Sequence, residues 1–121
     1  MRIEELQQNW DAFGRLDPLW AILSVPAKAN NRWDLDEFFA TGVAEIQDVF
    51  KYLGSLGVHP PRKRAFELGC GVGRITQALC QYFDECDGVD IAPSMIALAR
   101  KYNRWLEEKR LDYSGRNALL A

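Results

Sequence analysis

The stretch from Ala65 to Asp90 reads AFELGCGVGRITQALCQYFDECDGVD, and it decides the fold of this chain. A short apolar segment runs into glycines at positions 69, 71 and 73, and a second apolar segment ends on Asp90 after a helical interval. Glycines at alternate positions let the backbone turn sharply and approach a ligand, because no Cβ stands in the way. Such a strand, turn, helix and strand ending on an acidic residue is typical of a parallel α/β sheet that holds an adenosine-containing cofactor.

The glycine spacing argues against a dinucleotide. The dinucleotide fingerprint G-x-G-x-x-G needs a third glycine three residues after the second. That position is Arg74 when the pattern starts at Gly69, and the same reading from Gly71 ends on Thr76. The motif that does match is E-x-G-x-G-x-G, from Glu67 through Gly73.

This segment resembles motif I of class I S-adenosylmethionine-dependent methyltransferases. The sequence GVDIAPSM at positions 88–95 is similar to the motif after their second strand, and the resemblance extends over roughly residues 10–103. It implies an α/β fold with a Rossmann-like partial parallel sheet, flanking helices and a preceding helical segment. It also implies S-adenosylmethionine as the cofactor, methyl transfer as the activity, and a small molecule as the substrate.

The resemblance implies eight cofactor-binding residues, namely Glu67, Gly69, Cys70, Gly71, Gly73, Asp90, Ile91 and Met95. The backbone of the glycine turn would lie against the methionine part of the cofactor, while Glu67 would meet its amino group. Asp90 would accept hydrogen bonds from both ribose hydroxyls, and Ile91 and Met95 would pack on the adenine. The sequence assigns neither a catalytic residue nor a metal ligand.

Structural alternatives remain open for several of these positions. Glu67 could be a counter-charge at a helix terminus, and Asp90 could be a turn residue after a strand. Cys70 is better explained as a small residue in a tight turn than as a nucleophile, because no base is visible near it. His59, the single histidine, precedes two prolines in a linker and is expected to be structural.

The apolar pattern predicts four helices, near residues 3–13, 34–53, 73–83 and 93–106, and two strands, at 64–68 and 86–90. Gly14 is expected to end the first helix, and Asp17-Pro18 to break the pattern after it. Asp34 is expected to cap the second helix, with Glu37 reaching back to it. The residues after Arg110 predict a turn and a stub of strand. The domain division predicted is an N-terminal helical lead-in over 1–60 and a partial cofactor-binding domain over 61–121.

Composition excludes several other classes of protein. The 121 residues include 15 basic and 17 acidic side chains, and the absence of a basic stripe argues against a nucleic-acid partner. No segment approaches the roughly 18 consecutive apolar residues of a membrane span. The three cysteines share no C-x-x-C spacing, which indicates reduced thiols in a cytoplasmic protein rather than a zinc site or a disulfide framework.

The chain departs from the family after Asn103. Complete members resemble a seven-stranded sheet, and each further strand–helix–strand unit needs roughly 30 residues. The resemblance therefore implies the cofactor side of a methyltransferase without its substrate side, and a truncated or frameshifted reading frame is the hypothesis. Two strands with exposed edges predict a homodimer or another association through those edges. The functional alternatives are a non-catalytic truncated remnant or assembly module and, against the glycine spacing, a nicotinamide-binding oxidoreductase.

Overall fold

The computed structural model describes residues 1–104 and 110–117. It contains, in chain order, α1 (Ile3–Leu16), α2 (Pro18–Ile22), a 3-10 turn (Pro26–Lys28), α3 (Leu35–Ser55), β1 (Arg64–Leu68), α4 (Arg74–Leu79), β2 (Glu85–Val89), α5 (Pro93–Tyr102) and β3 (Leu111–Ser114). The predicted α/β class is confirmed. Trp105 and Leu106, which the sequence assigns to the last helix, lie outside the described residues.

The sheet has three parallel strands in the order β1-β2-β3. Ala65 of β1 is paired with Cys86 of β2, and Cys86 is paired in turn with Leu111 of β3. The stub of strand predicted after Arg110 is confirmed as β3, and it pairs with β2, so the sheet has a third strand beside the two at 64–68 and 86–90. The helices α4 and α5 follow β1 and β2 and pack against the sheet.

Tyr113 of β3 explains why this third strand joins the sheet. Its side chain is 2% exposed, and its ring lies over Gly88 of β2 and against Gly73 at the start of α4. A Cβ at Gly88 would stand 3.0 Å from Tyr113 Cδ1, and a Cβ at Gly73 would stand 2.1 Å from the tyrosine Oη. Two glycines therefore make the space that Tyr113 fills.

The N-terminal helices pack onto the α/β portion at two places, α3 against α4 and α1 against α5. The backbone N–H of Ser94 donates to Asp11 Oδ1 at 2.8 Å, and the Ser94 hydroxyl donates to the Asp11 carbonyl at 2.7 Å. The prediction that Gly14 ends α1 was wrong, since the helix continues to Leu16. Gly14 is instead buried within α1, where Ser94 packs against it. A Cβ at Gly14 would stand 2.0 Å from Ser94 Oγ, so this close approach requires a glycine.

The starts of the next two helices follow local sequence signals. Asp17-Pro18 breaks the pattern as expected, since α1 ends at Leu16 and Asp17 is its C-cap. The same pair begins α2 with proline in the first turn, where the missing N–H costs no hydrogen bond. The predicted cap of α3 is confirmed, since the Glu37 N–H donates to Asp34 Oδ1 at 2.9 Å. The Glu37 carboxylate pairs with Lys28 at 3.0 Å instead of reaching back to Asp34, so that half of the predicted capping box was wrong. Within the described residues, no helix is both long and apolar enough to cross a membrane.

We expect Gly88→Ala to destabilise the fold by about 1–3 kcal/mol, since the added methyl would overpack the centre of the sheet. The new Cβ would stand 2.9 Å from Cys70 Cβ and 3.0 Å from Thr76 Oγ1. Gly54→Ala is the matched control, because a Cβ there meets nothing within 4 Å, and it should be neutral or stabilising by up to about 1 kcal/mol. Urea unfolding measures both, and equal midpoints for the two variants would contradict this account of the core.

Candidate functional site

A cavity of about 450 Å³ opens at the carboxyl ends of β1 and β2. Its walls come from the glycine turn, the start of α5 and the two N-terminal helices, and they consist of Leu6, Trp10, Ala21, Ile22, Leu68, Gly69, Gly71, Asp90, Ile91 and Met95. A mostly apolar cavity of this size, with few polar groups, is typical of small-molecule sites. Its position agrees with the rule that parallel sheets bind ligands beyond the carboxyl ends of their strands.

The cavity brings together five of the eight residues that the sequence proposes for cofactor binding, namely Gly69, Gly71, Asp90, Ile91 and Met95. The other three, Glu67, Cys70 and Gly73, do not line it. Each of those three has a partner elsewhere in the described part of the protein. Five of the eight positions therefore line the cavity, and the other three contact the strands and helices that form its wall.

The Asp90 carboxylate joins two backbone segments that border the cavity. Its Oδ2 accepts the Gly71 N–H at 2.8 Å, and its Oδ1 accepts the Ala92 N–H at 2.9 Å. A carboxylate oxygen has two acceptor positions, so each oxygen keeps capacity for a further hydrogen bond. Asp90 can thus hold the glycine turn beside the start of α5 and still present acceptors to a ligand.

The amides of the glycine turn are mostly used within the protein. The N–H groups of Gly69 and Cys70 both donate to the Val89 carbonyl, at 2.8 and 2.9 Å, and the Gly73 N–H donates to the Cys70 carbonyl at 2.9 Å. What the turn offers a ligand is space rather than donors. Gly69 has φ +76°, and a Cβ on it would meet no atom within 4 Å.

The wall contributed by α1 and α2 was missed by the sequence analysis. Ile22 of α2 approaches the glycine turn so closely that a Cβ on Gly71 would stand 2.9 Å from Ile22 Cδ1. Trp10 of α1 also lines the cavity. The apolar residues of α1 recur at helical spacing, which predicts a buried face. This pattern does not distinguish a face that packs in the core from one that lines a ligand cavity.

Glu67 faces α4 rather than the cavity. The Thr76 hydroxyl donates to Glu67 Oε1 at 2.5 Å, which ties the end of β1 to the first turns of α4. Burial raises the pKa of the Glu67 carboxyl, and the hydrogen bonds from Thr76 oppose that rise. This arrangement matches the helix-terminus alternative considered for Glu67.

Within the described residues, the cavity wall carries no histidine, lysine, cysteine or serine side chain that could act as a base or nucleophile. Among the described residues that line it, Asp90 is the only one with an ionisable side chain. Cys70 is buried, its thiol donates to the Gly71 carbonyl at 3.6 Å, and burial raises the pKa of that thiol. Within residues 1–104 and 110–117, no cluster of three or more His, Cys, Asp or Glu side chains could hold a metal ion.

Residues 65–118 match the model of a family described as a methyltransferase domain. Among solved structures, the chain is similar to phosphoethanolamine N-methyltransferase 1 of Haemonchus contortus, in complex with phosphoethanolamine and S-adenosylhomocysteine, over 98% of its own length (TM-score 0.65, 17% identity). It is also similar to magnesium protoporphyrin IX methyltransferase of Synechocystis PCC 6803 with bound SAH, over 93% of its length (TM-score 0.58, 16% identity). At these identities the likeness establishes the fold.

The chain spans 22% of the first of these proteins and 50% of the second. No curated protein sequence matches it significantly.

Replacing Asp90 should loosen both segments that it joins. We expect Asp90→Ala to lower the free energy of unfolding by about 1–3 kcal/mol, because two hydrogen bonds to a charged acceptor are lost. Asp90→Asn keeps one acceptor oxygen and should lose about half as much. Amide hydrogen exchange should quicken at Gly71 and Ala92 in the alanine variant, and unchanged exchange at both amides would contradict the role assigned to this carboxylate.

The raised pKa of Glu67 should make stability depend on pH. Because the folded carboxyl binds its proton more tightly than the unfolded one, this contribution to stability is present below the unfolded pKa and is lost as pH rises through the folded value. We therefore expect Glu67→Gln to be more stable than the parent chain at pH 7, with the difference shrinking as the pH falls towards 4. Urea unfolding across this range measures it, and a variant less stable at pH 7 would contradict the burial argument.

Proposed function

We propose that this chain, whose residues 65–118 match the model of a methyltransferase domain, binds S-adenosylmethionine in the cavity at the carboxyl ends of β1 and β2. We further infer that it serves the transfer of the methyl group to a small molecule. The observation that carries the proposal is the juxtaposition, in one cavity, of the open space over Gly69 and the Asp90 carboxylate.

The residues at the cavity fit the chemical parts of this cofactor. Asp90 retains acceptor positions for a ribose diol, and one carboxylate can accept from both hydroxyls. Ile91 and Met95 supply apolar surface beside it for a purine ring. The absence of a Cβ at Gly69 leaves room for the amino-acid portion to approach the backbone. Each part of the molecule therefore has a matching region of wall.

The chain contributes positioning and exclusion of water. S-Adenosylmethionine, when bound, supplies an activated methyl group on a sulfonium, so alignment with the acceptor is the main demand on the protein. Trp10 and Ile22 cover the glycine turn with apolar surface. Asp11 holds α1, and with it Trp10, against α5 through both hydrogen bonds to Ser94.

The residues behind the wall keep the turn in shape. Glu67 fixes the end of β1 to α4 through Thr76, and Gly73 admits Tyr113 beneath the turn. Cys70 fills the buried space between the strands. In this proposal Glu67, Cys70 and Gly73 do not contact the cofactor. They contribute to its binding indirectly, because they stabilise the backbone of the glycine turn.

A small molecule is the proposed methyl acceptor. The net charge of −2 and the lack of a basic stripe do not favour a nucleic acid. The two similar structures are of enzymes named for phosphoethanolamine and for magnesium protoporphyrin IX, both of them small molecules. The three cysteines share no C-x-x-C spacing, and on this ground we infer a cytoplasmic location.

Isothermal titration with S-adenosylmethionine and S-adenosylhomocysteine tests the proposal. We expect saturable binding of both and none of NAD. Ala21→Trp should weaken binding at least about tenfold, because the larger side chain would fill the cavity and a loss of ~1.4 kcal/mol already has this effect. Ala44→Trp is the matched control, since Ala44 is exposed on α3 away from this cavity, and it should bind normally.

Two results would overturn the proposal. Absence of heat with either sulfur compound would favour a non-catalytic remnant or assembly module, and tight NAD binding would favour an oxidoreductase. For the acceptor, tritiated methyl groups should pass to compounds in the ultrafiltrate of a cell extract. Label found in RNA or protein instead would contradict the small-molecule assignment.

A further inference from the structure

The tryptophans at positions 10, 20 and 33 differ in how the protein uses their indole N–H groups. Trp20 donates to the Val25 carbonyl at 3.1 Å, and Trp33 donates to the Leu23 carbonyl at 3.0 Å. Trp10 is half-buried at the cavity wall, and its N–H donates to no acceptor among the described residues. Trp10 therefore has, besides its ring, a donor that the surrounding protein does not use.

Trp10 lies beside the start of α5. It packs on the buried cluster that contains Ala92 and Met95, and it lines the cavity together with Ile91 and Met95. Gly14 lies one helical turn further along the same face of α1, and a Cβ there would stand 3.2 Å from the Met95 backbone nitrogen. Trp10 therefore forms the cavity wall at the end where Ile91 and Met95 offer apolar surface for a purine.

Neighbouring side chains of α1 and α5 hold Trp10 in place. Phe13 packs against the Trp10 ring edge to face, with the ring centroids 5.3 Å apart. Asp11, the next residue, accepts the Ser94 N–H at 2.8 Å through its Oδ1, and its carbonyl accepts the Ser94 hydroxyl at 2.7 Å. The ring is therefore preorganised for a contact, which lowers the entropic cost of binding.

Two carboxylates set the position of the first turn of α5. Asp90 Oδ1 accepts the Ala92 N–H at 2.9 Å, and Asp11 Oδ1 accepts the Ser94 N–H at 2.8 Å. Both donors belong to the amides that have no intrahelical partner at a helix start. Because ribose and base are joined by a single glycosidic bond, their two binding groups must stand at a fixed separation. The start of α5 supplies this common support for Asp90 and, through Asp11, for Trp10.

We propose that Trp10 stacks on the purine ring of the bound cofactor, with Ile91 and Met95 on the other side of the base, and that Asp11 positions Trp10 for this contact. The stacking contact rests on the proposed function and adds a residue of α1 to the cofactor site. An aromatic side chain suits this role because every base has a π-face. Among the described residues that line the cavity, Trp10 is the only aromatic one.

Calorimetry with three ligands tests the stacking contact. We expect Trp10→Leu to raise the dissociation constants of S-adenosylmethionine, S-adenosylhomocysteine and methylthioadenosine by the same factor, about tenfold, because all three carry the purine. Trp10→Phe keeps an aromatic face and should weaken binding less than Trp10→Leu. Trp20→Leu is the matched control, since Trp20 does not line this cavity, and it should leave the three constants unchanged.

Fluorescence reports on the same contact. The indole emission of the parent chain should change on saturation with S-adenosylhomocysteine. This change should persist in Trp20→Phe and disappear in Trp10→Phe, since only the second variant lacks the stacked indole.

A double-mutant cycle tests the positioning role of Asp11. Asp11→Ala loses the bond to the Ser94 N–H and should weaken binding of S-adenosylhomocysteine in the parent background. In the Trp10→Leu background it should add little, because Asp11 acts through Trp10. Independent, additive losses would overturn the positioning role.

Failure of the stacking contact is distinguishable from failure of the proposed function. A parent chain that binds none of the three ligands contradicts the proposed function itself. A parent chain that binds them, with Trp10→Leu binding equally tightly, overturns the stacking contact alone. A loss confined to S-adenosylmethionine would assign Trp10 to the sulfonium through a cation–π contact instead. A loss with both S-adenosyl compounds but not with methylthioadenosine would assign it to the amino-acid portion, and either pattern overturns stacking on the purine.

Discussion

The site depends on a carboxylate that joins two turns of the backbone. Asp90 ends β2, and its two oxygens hold the Gly71 and Ala92 N–H groups. These two bonds add to the apolar packing of Val72 in the turn with Ala92 and Met95 at the start of α5. The same oxygens keep free acceptor positions, so the group that shapes the wall is also the polar group that a bound diol would meet. The Asp90 carboxylate therefore has two roles: it stabilises the shape of the cavity wall and, in the proposed function, it binds the ligand.

The glycines of the motif serve different purposes although they look equivalent in sequence. Gly69 leaves open space at the cavity, Gly71 admits Ile22 of α2, and Gly73 admits Tyr113 of β3. All three adopt positive φ, so a side chain at any of them would be strained, and at Gly71 and Gly73 it would also be crowded. The motif thus couples the ligand space to the N-terminal helices on one side and to the third strand on the other.

Much of the fold could be predicted because its signals are local. The bounds of β1, the Asp34 cap and the start of α5 follow from apolar alternation, capping and proline chemistry over a few residues. The misses depend on contacts between distant segments. Gly14 is a helix breaker in isolation, yet it is buried within α1 because Ser94 packs on it. The third strand joins the sheet because Tyr113 occupies the space beside Gly73 and Gly88. No local sequence pattern predicts this contact between distant residues. At the site, the glycine motif predicted the position of the turn. The apolar wall that α1 and α2 contribute could not be predicted, because it depends on how these helices pack in the tertiary structure.

We propose that the cavity beside Asp90 and Gly69 is an S-adenosylmethionine site. Amide and indole chemical shifts of the ¹⁵N-labelled chain, recorded during titration with S-adenosylhomocysteine, test this most directly. We expect saturable shifts at Gly69, Ile91 and the Trp10 indole, with little change at Gln81 in a separate surface cavity. Absence of shifts at the first group, or larger shifts at Gln81, would contradict it.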